Sequence, residues 1–431
     1  MPHTSSRPSS SSSPWRSLRR PSFVAWSFAN LLSNLGTWLQ LIAQNVLVLK
    51  LTGSPALAGV CATASATPAL VLAPVGGALV DRYSRRLVAT LTQTALALIA
   101  AGTAVLAWRG GLTPTVLILV SLAAGAIGAL NAPATALLGI ELVEPEDVPS
   151  AISVGSVITT IGWVGGAGLA GVVLATGGVA VAYVLNALSF LCVVAVIAAL
   201  PRTRPGVAER RAHPRDRTAD LLGGVRWLAG RPRLLLLATV SGLAAVLGRN
   251  YGLMLAPITL TALHAGGSGY GAVNVALGVG ATLGAIAAGR LRSPSVRLGV
   301  LLAVAGAGLQ IAVSGAPALG ALLAGAVLMS GIESVAATVS STLLMTTPPA
   351  EVRGRVMGAW GTVSTLCGMV GPLAVGGLLS LAGPRLGLAA GGVAFLGAVA
   401  VVSHVYLRRV HGRTHTARAW RATLRPAAAV G

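Results

Sequence analysis

Acidic side chains are scarce in this chain. There are ten among 431 residues, against 31 basic ones, and charged residues of both signs make up only 10%. A soluble protein of this length carries about a quarter charged residues, so a large water-facing surface is excluded. Lysine is almost absent, with Lys50 alone. A Walker A loop needs a phosphate-binding lysine, and Lys50 stands at a helix end, so ATP drive within this chain is excluded. The three cysteines, Cys61, Cys192 and Cys367, lie in apolar runs without CxxC or metal-ligand spacing. They read as buried small hydrophobes rather than ligands or disulfides. The histidines sit in tails, linkers and helix ends, and no HExxH occurs. Nothing here supports catalysis or a bound metal.

What is present is apolar. Hydrophobic residues make up 54% of the chain, and the mean hydropathy is +0.80. A membrane-spanning helix needs roughly 20 apolar residues, and runs of that length recur from end to end. Twelve spans are predicted: 22–49, 55–80, 87–108, 114–139, 148–173, 179–200, 234–263, 269–289, 298–314, 317–346, 355–379 and 386–407. Only helices and closed barrels satisfy their backbone in lipid, and runs this long are helices. The chain therefore reads as an all-α membrane protein. Its parts are a disordered basic tail (1–21), a six-helix half (22–200), a charged linker with an interfacial helix (201–233), a second six-helix half (234–407) and a basic tail (408–431). Within the linker, "DLLGGVRWLAGRPRL" is amphipathic and anchored by Trp227.

The formal net charge of +21 does not imply nucleic-acid binding, because the charges fill the gaps between apolar runs. With both termini cytoplasmic, twenty-seven arginines fall on the inner side, and only Lys50, Arg109 and Arg385 fall outside. The positive-inside rule fixes that orientation, and the basic face meets anionic headgroups. The partners expected are membrane lipid and a small-molecule substrate, with no nucleic acid. The chain is read as a monomer without a cofactor, lodged in the cell membrane.

The halves repeat. At an offset of 212, Leu51, Gly59, Gly77, Leu79 and Arg85 match Leu263, Gly271, Gly289, Leu291 and Arg297. At an offset of 203, Pro145, Gly155, Thr159, Gly165 and Gly168 match Pro348, Gly358, Thr362, Gly368 and Gly371. Parallel six-helix repeats around a midplane site are one plan of secondary transporters.

Arg249 is the remaining basic residue, inside an otherwise uncharged run from Leu234 to Leu263. An arginine at a helix centre costs about 2.5–3.5 kcal/mol on insertion scales. The one other charge as deep is Glu333. Sixteen residues separate Arg233 from Arg249, about 24 Å of helix, and fourteen separate Glu333 from Thr347, about 21 Å. Equal depth and opposite sign predict a pair, which either couples to a proton or is a static structural bridge. Arg249 bonded to carbonyls at a break near Gly248 and Gly252 is the competing reading. Polar residues in span 1 (Asn30, Asn34, Gln40, Gln44, Asn45) exceed what a lipid-facing surface tolerates, and either line a cavity or bond neighbouring helices. Candidate cavity residues are Asn34, Trp38, Gln40, Gln44, Trp163, Asn250 and Tyr251, with packing as the alternative role for the tryptophans.

The stretch "GGALVDRYSRR" (76–86) resembles the loop between helices 2 and 3 of the major facilitator superfamily, with Gly77, Leu79, Asp81, Arg82, Arg85 and Arg86 matching its motif and Ser84 in place of a glycine. "SNLGTWLQLIAQNVLVLKLTGSPALAGV", "ELVEPEDVPSAISV" and "RGRVMGAWGTVS" are similar to the drug:proton antiporter branch that holds the enterobactin and macrolide exporters. The resemblance runs from about residue 20 to 407. It implies two pseudo-symmetric six-helix halves, alternating access, and export of small amphipathic molecules. It also implies a conformational latch carried by Gly77, Asp81, Arg82, Arg85 and Arg86, in which Asp81 faces the N-terminus of helix 11 and the arginines touch lipid or the latch. The same residues fit an ordinary charged loop. Thr37 stands where many relatives carry an acid, and 114–139 lacks the arginine many antiporters place in helix 4. The helix 5 Gly-Pro is Gly168-Leu169, while Gly371-Pro372 in helix 11 keeps the proline. The resemblance alone thus supplies no proton route. An uptake symporter or uniporter, and a non-transport membrane scaffold, remain alternatives.

Overall fold

A computed structural model describes residues 15–201, 217–291 and 294–423. The first part of the expected N-terminal tail, residues 202–216 of the linker and the last residues of the C-terminal tail lie outside the described residues. Helices occupy almost all of the remainder, with no strand among the described residues. In chain order they are α1 (Pro21–Thr52), α2 (Pro55–Arg82), α3 (Arg85–Trp108), α4 (Pro114–Glu141), α5 (Val148–Thr176), α6 (Gly178–Ala199), α7 (Arg217–Ala229), α8 (Pro232–Leu247), α9 (Tyr251–Pro257), α10 (Gly266–Gly289), α11 (Val296–Ser314), α12 (Leu319–Thr346), α13 (Ala350–Ala382) and α14 (Pro384–Thr423).

Local chemistry sets the helix ends. Proline opens α1 and α4, where its missing N–H costs nothing. Ser84, Thr113 and Ser295 cap α3, α4 and α11 by accepting from the backbone N–H three residues on. Gly53 closes α1 in the left-handed conformation at φ 64°, its N–H bonded to Leu49 O. Among the described residues, eleven stretches are long and apolar enough to cross a membrane. α1 is long enough, at 32 residues, but its amides lower its hydropathy. Large exposed apolar side chains such as Leu98, Val172 and Leu386 suit a lipid environment rather than water.

The chain clusters into two compact units. The first comprises 1–53, 60–212 and 264–275; the second comprises 54–59, 213–263 and 276–431. In the first, α1 packs on α5 and α6, and α3 packs on α6 and α4. Gly166 makes the α1–α5 approach possible: a methyl group there would stand 2.7 Å from Leu35 O and 2.8 Å from Trp38 Cβ. In the second, α11 packs on α12 and α14, and α13 on α7 and α8. Leu236, Val240, Ala307, Phe395 and Val399 form part of its core. The helix expected within the linker takes shape as α7, and Arg231 stacks over the Trp227 ring at 3.5 Å.

Three expectations need correction. Asp81 does not open a loop, because α2 continues to Arg82 and only Tyr83 and Ser84 separate it from α3. Part of the stretch expected as a disordered tail is ordered. Arg16–Arg19 forms a 3-10 turn, and the Ser17 N–H donates to Ser150 Oγ at 3.0 Å. Arg16 Nε lies 3.0 Å from Asp147 Oδ1, and Arg20 pairs with Glu144. Basic side chains that read as a tail thus meet the acidic α4–α5 connection. Similarly, α14 carries the C-terminal segment as helix to Thr423.

Candidate functional site

In the first unit, α1 turns its amides inward. A cavity of about 790 Å³ opens among α1, α3, α4, α5 and α6. Asn34, Trp38, Gln40 and Gln44 all line it. The amides are ordered by their neighbours. Asn34 Nδ2 donates to Asn30 O at 2.9 Å, Asn186 Nδ2 to Gln40 Oε1 at 2.6 Å, and Gln44 Nε2 to Ser121 Oγ at 2.7 Å. The amides thus line the cavity, Gln40 and Gln44 bond the neighbouring α6 and α4, and Asn34 bonds within α1. Trp163 is not among the lining residues. It stacks on Trp38, with ring centroids 5.9 Å apart and planes at 43°, and so supports a wall that Trp38 presents. Gln93, Asn131, Thr135 and Asn186 also line the cavity and escaped the sequence reading. Each is a lone polar residue in an apolar helix, the same signal that singled out α1, only less dense.

In the second unit, the run that holds Arg249 is not one continuous helix. α8 ends at Leu247, α9 begins at Tyr251, and Gly248 caps the break. Asn250 spends its Nδ2 on Ala245 O at 3.3 Å across the interruption. Arg249 Nε lies 2.7 Å from Glu333 Oε1. The break exists, and the partner that the structure gives Arg249 is the Glu333 carboxylate. Tyr251, Arg249 and Glu333 share a small cavity of about 50 Å³ with Ser241 and Ser340, whose hydroxyls lie 2.8 Å apart. Tyr251 thus belongs to the ion-pair cavity of the second unit, Asn250 bonds across the break beside it, and neither lines the large cavity.

The Arg249 side chain is 48% exposed and that of Glu333 22%.

Of the motif at the end of α2, the side chains of Gly77 and Asp81 lie outside the described residues. Arg82 lies over the Tyr83 ring at 5.9 Å. Arg85 pairs with Glu141 at the end of α4. Arg86 donates to Leu200 O at 2.9 Å and Ala198 O at 2.7 Å, the negative end of α6. Arg85 and Arg86 thus find partners within their own unit.

Residues 12–427 match the family described as transmembrane secretion effector. The chain belongs to that family, within the major facilitator superfamily. Proteins similar to it include the multidrug efflux pump Tap of Mycolicibacterium fortuitum, 29% identical over 83% of this chain and 88% of that one. The enterobactin exporter EntS of Escherichia coli O1:K1 / APEC is 27% identical over 90% and 93%. Among solved structures, the nucleoside transporter NupG aligns with a TM-score of 0.65 at 16% identity, covering 90% of this chain and 98% of that one. A bacterial homologue of the human lysosomal transporter Spinster aligns with a TM-score of 0.67 at 15% identity, covering 92% and 97%. These two show the fold, that of a twelve-span multi-pass membrane protein.

Proposed function

We propose that the chain exports small amphipathic molecules by alternating access, in exchange for protons. The observation that carries this is the 790 Å³ cavity of mixed aromatic and amide lining, of the size that small-molecule sites take. The efflux function of the relatives named above supports the direction. The bridged Arg249 and Glu333 supply a group that a proton can switch, in a family member without the helix 4 arginine. Uptake of a panel of macrolides, siderophores and lipophilic cations into inside-out vesicles, with and without an imposed pH gradient, tests the reading. Accumulation that collapses with the gradient supports it; accumulation indifferent to the gradient contradicts the coupling.

The orientation, both termini cytoplasmic, belongs to the same proposal and rests on the arginine bias. Cysteine labelling tests it in a background without the native cysteines. Gly110 and Gly383 adopt φ of +68° and +81°, which strain any other residue, so thiols are better placed at Gly111 and Leu381. An impermeant maleimide added outside cells is expected to reach both and to miss Arg290→Cys. Labelling at 290 from outside contradicts the orientation.

Asp81 is proposed as the latch residue. Asp81→Asn is expected to insert normally and to lose at least about tenfold in transport rate, about 1.4 kcal/mol at the barrier. Wild-type transport by that variant makes Asp81 an ordinary residue of the α2 end.

A further inference from the structure

The second unit holds a further cavity, of about 370 Å³, on a different stripe of α8 from the ion-pair cavity. It is a groove between α8 and α13, and no charged side chain is among its described lining residues. Residues three or four apart share one face of a helix. On α8 the lining stripe runs from Leu235 to Val246, eleven residues or about 16 Å of helix. On α13 it runs from Ala359 through Val363 to Cys367. α7 closes one end, with Leu228 in the wall. A methyl group at Gly224 of α7 would collide with Arg355 O and stand 3.0 Å from Ala359 Cβ, so α7 lies directly on α13 there.

Both stripes lead into an arginine at that end. Leu228, Leu234 and Val356 share one apolar cluster. Further along, a methyl group at Gly242 would stand 3.5 Å from Cys367 Sγ. α8 and α13 therefore run side by side in the same direction. Arg231, three residues before Leu234, and Arg355, next to Val356, stand at the α7 end of both. Each touches α7 or the turn after it. Arg231 stacks over Trp227 at 3.5 Å, and a methyl group at Gly223 would meet Arg355 Cδ at 3.4 Å. Both arginines are exposed. The segments 217–233 and 350–355 together hold six arginines against Asp220 and Glu351, so this end is strongly basic.

The hydrocarbon core of a bilayer is about 30 Å thick, so a groove of about 16 Å has the depth of one leaflet. Guanidinium groups bind phosphate by paired, charge-assisted hydrogen bonds, and basic pockets between membrane helices hold anionic headgroups. An apolar groove of leaflet depth under a basic rim matches one molecule in both parts. We propose that this groove is a specific site for one anionic phospholipid, with an acyl chain between α8 and α13 and the headgroup phosphate at Arg231 and Arg355 beside α7. The site is separate from the cavity of the first unit and does not rest on the transport reading.

Native mass spectrometry of the solubilised full chain tests it, with dioleoyl phosphatidylglycerol and dioleoyl phosphatidylcholine as probes. Retention of one phosphatidylglycerol is expected, preferred over phosphatidylcholine by about tenfold or more. Changing both Arg231→Gln and Arg355→Gln is expected to bring phosphatidylglycerol down to the phosphatidylcholine level. Thr239→Trp, at an exposed position of the groove, is expected to abolish retention. A second readout needs no blocked groove. Trp360 lines it, so phosphatidylglycerol brominated on its acyl chains is expected to quench Trp360 in vesicles of phosphatidylcholine. The quenching lost in Trp360→Phe is expected to be larger with brominated phosphatidylglycerol than with brominated phosphatidylcholine. Equal retention of the two lipids, retention unmoved by Thr239→Trp or by the arginine changes, or equal quenching of Trp360 by both lipids overturns the proposal. A dimeric chain that Thr239→Trp turns into a monomer assigns the groove to a second copy and overturns it as well.

Discussion

Glu333→Gln is expected to insert and fold yet fail to concentrate substrate against a gradient, and Arg249→Ala is expected to be damaged as well. The two groups lie 2.7 Å apart in a segment otherwise free of charge. Removing either one leaves the other without its counter-charge. For a fully buried pair that costs about 3–5 kcal/mol, and for an exposed pair about 0.2–1 kcal/mol. Glu333 is 22% and Arg249 48% exposed, so the single variants belong between these limits. The double variant removes both charges and is expected to recover much of the lost stability while transport against a gradient stays lost. Thermal melts of the four proteins complete a double-mutant cycle. Additive stability losses contradict an energetic coupling between the two side chains. Recovered stability with intact coupled transport would leave the pair as a static bridge.

The second large effect is steric. Gly155 on α5 lines the cavity, and a Cβ added there meets no heavy atom within 4 Å. Gly155→Trp therefore puts an indole into open space without displacing backbone. Replacing glycine in a helix interior favours the helix by roughly 0.5–1 kcal/mol, so the variant is expected to fold. Its transport is expected to fall at least about tenfold for every substrate. Gly102→Trp on α3 is the control, since its added Cβ also meets nothing and it lines none of the cavities described above. Normal transport by Gly155→Trp would remove the cavity from the substrate path. Gly139 makes the contrast: a methyl group there would stand 2.7 Å from Trp26 Nε1, so a loss of function at Gly139 would report on packing instead.

Much of this architecture was legible in the chain. Apolar runs long enough for a bilayer have no soluble alternative, and eleven reappear as helices that meet the membrane criteria. The twelfth, α1, departs for a physical reason: its amides face a protein interior, which a hydropathy average counts against it. The Arg249–Glu333 pair was legible because helix rise is constant, so counting residues from a charged boundary gives depth. The break at 248–250 did not spoil that count, since it falls beside Arg249 itself. Asn250 and Tyr251 were grouped with the α1 amides because polar character alone does not reveal which bundle a side chain faces. Gln93, Asn131 and Asn186 were missed as cavity residues because one polar residue in an apolar helix is usually satisfied locally. Arg16 and Arg20 read as tail because their partners, Glu144, Glu146 and Asp147, lie more than a hundred residues away.

The most direct test of proton-coupled export is transport by the purified chain in proteoliposomes, with one substrate and an imposed pH gradient of either sign. Proton-coupled exchange through Glu333 predicts accumulation that follows the gradient and reverses with it. In the Glu333→Gln protein, only downhill exchange should remain, independent of pH. Accumulation by Glu333→Gln equal to wild type, with the same dependence on the gradient, would contradict the account.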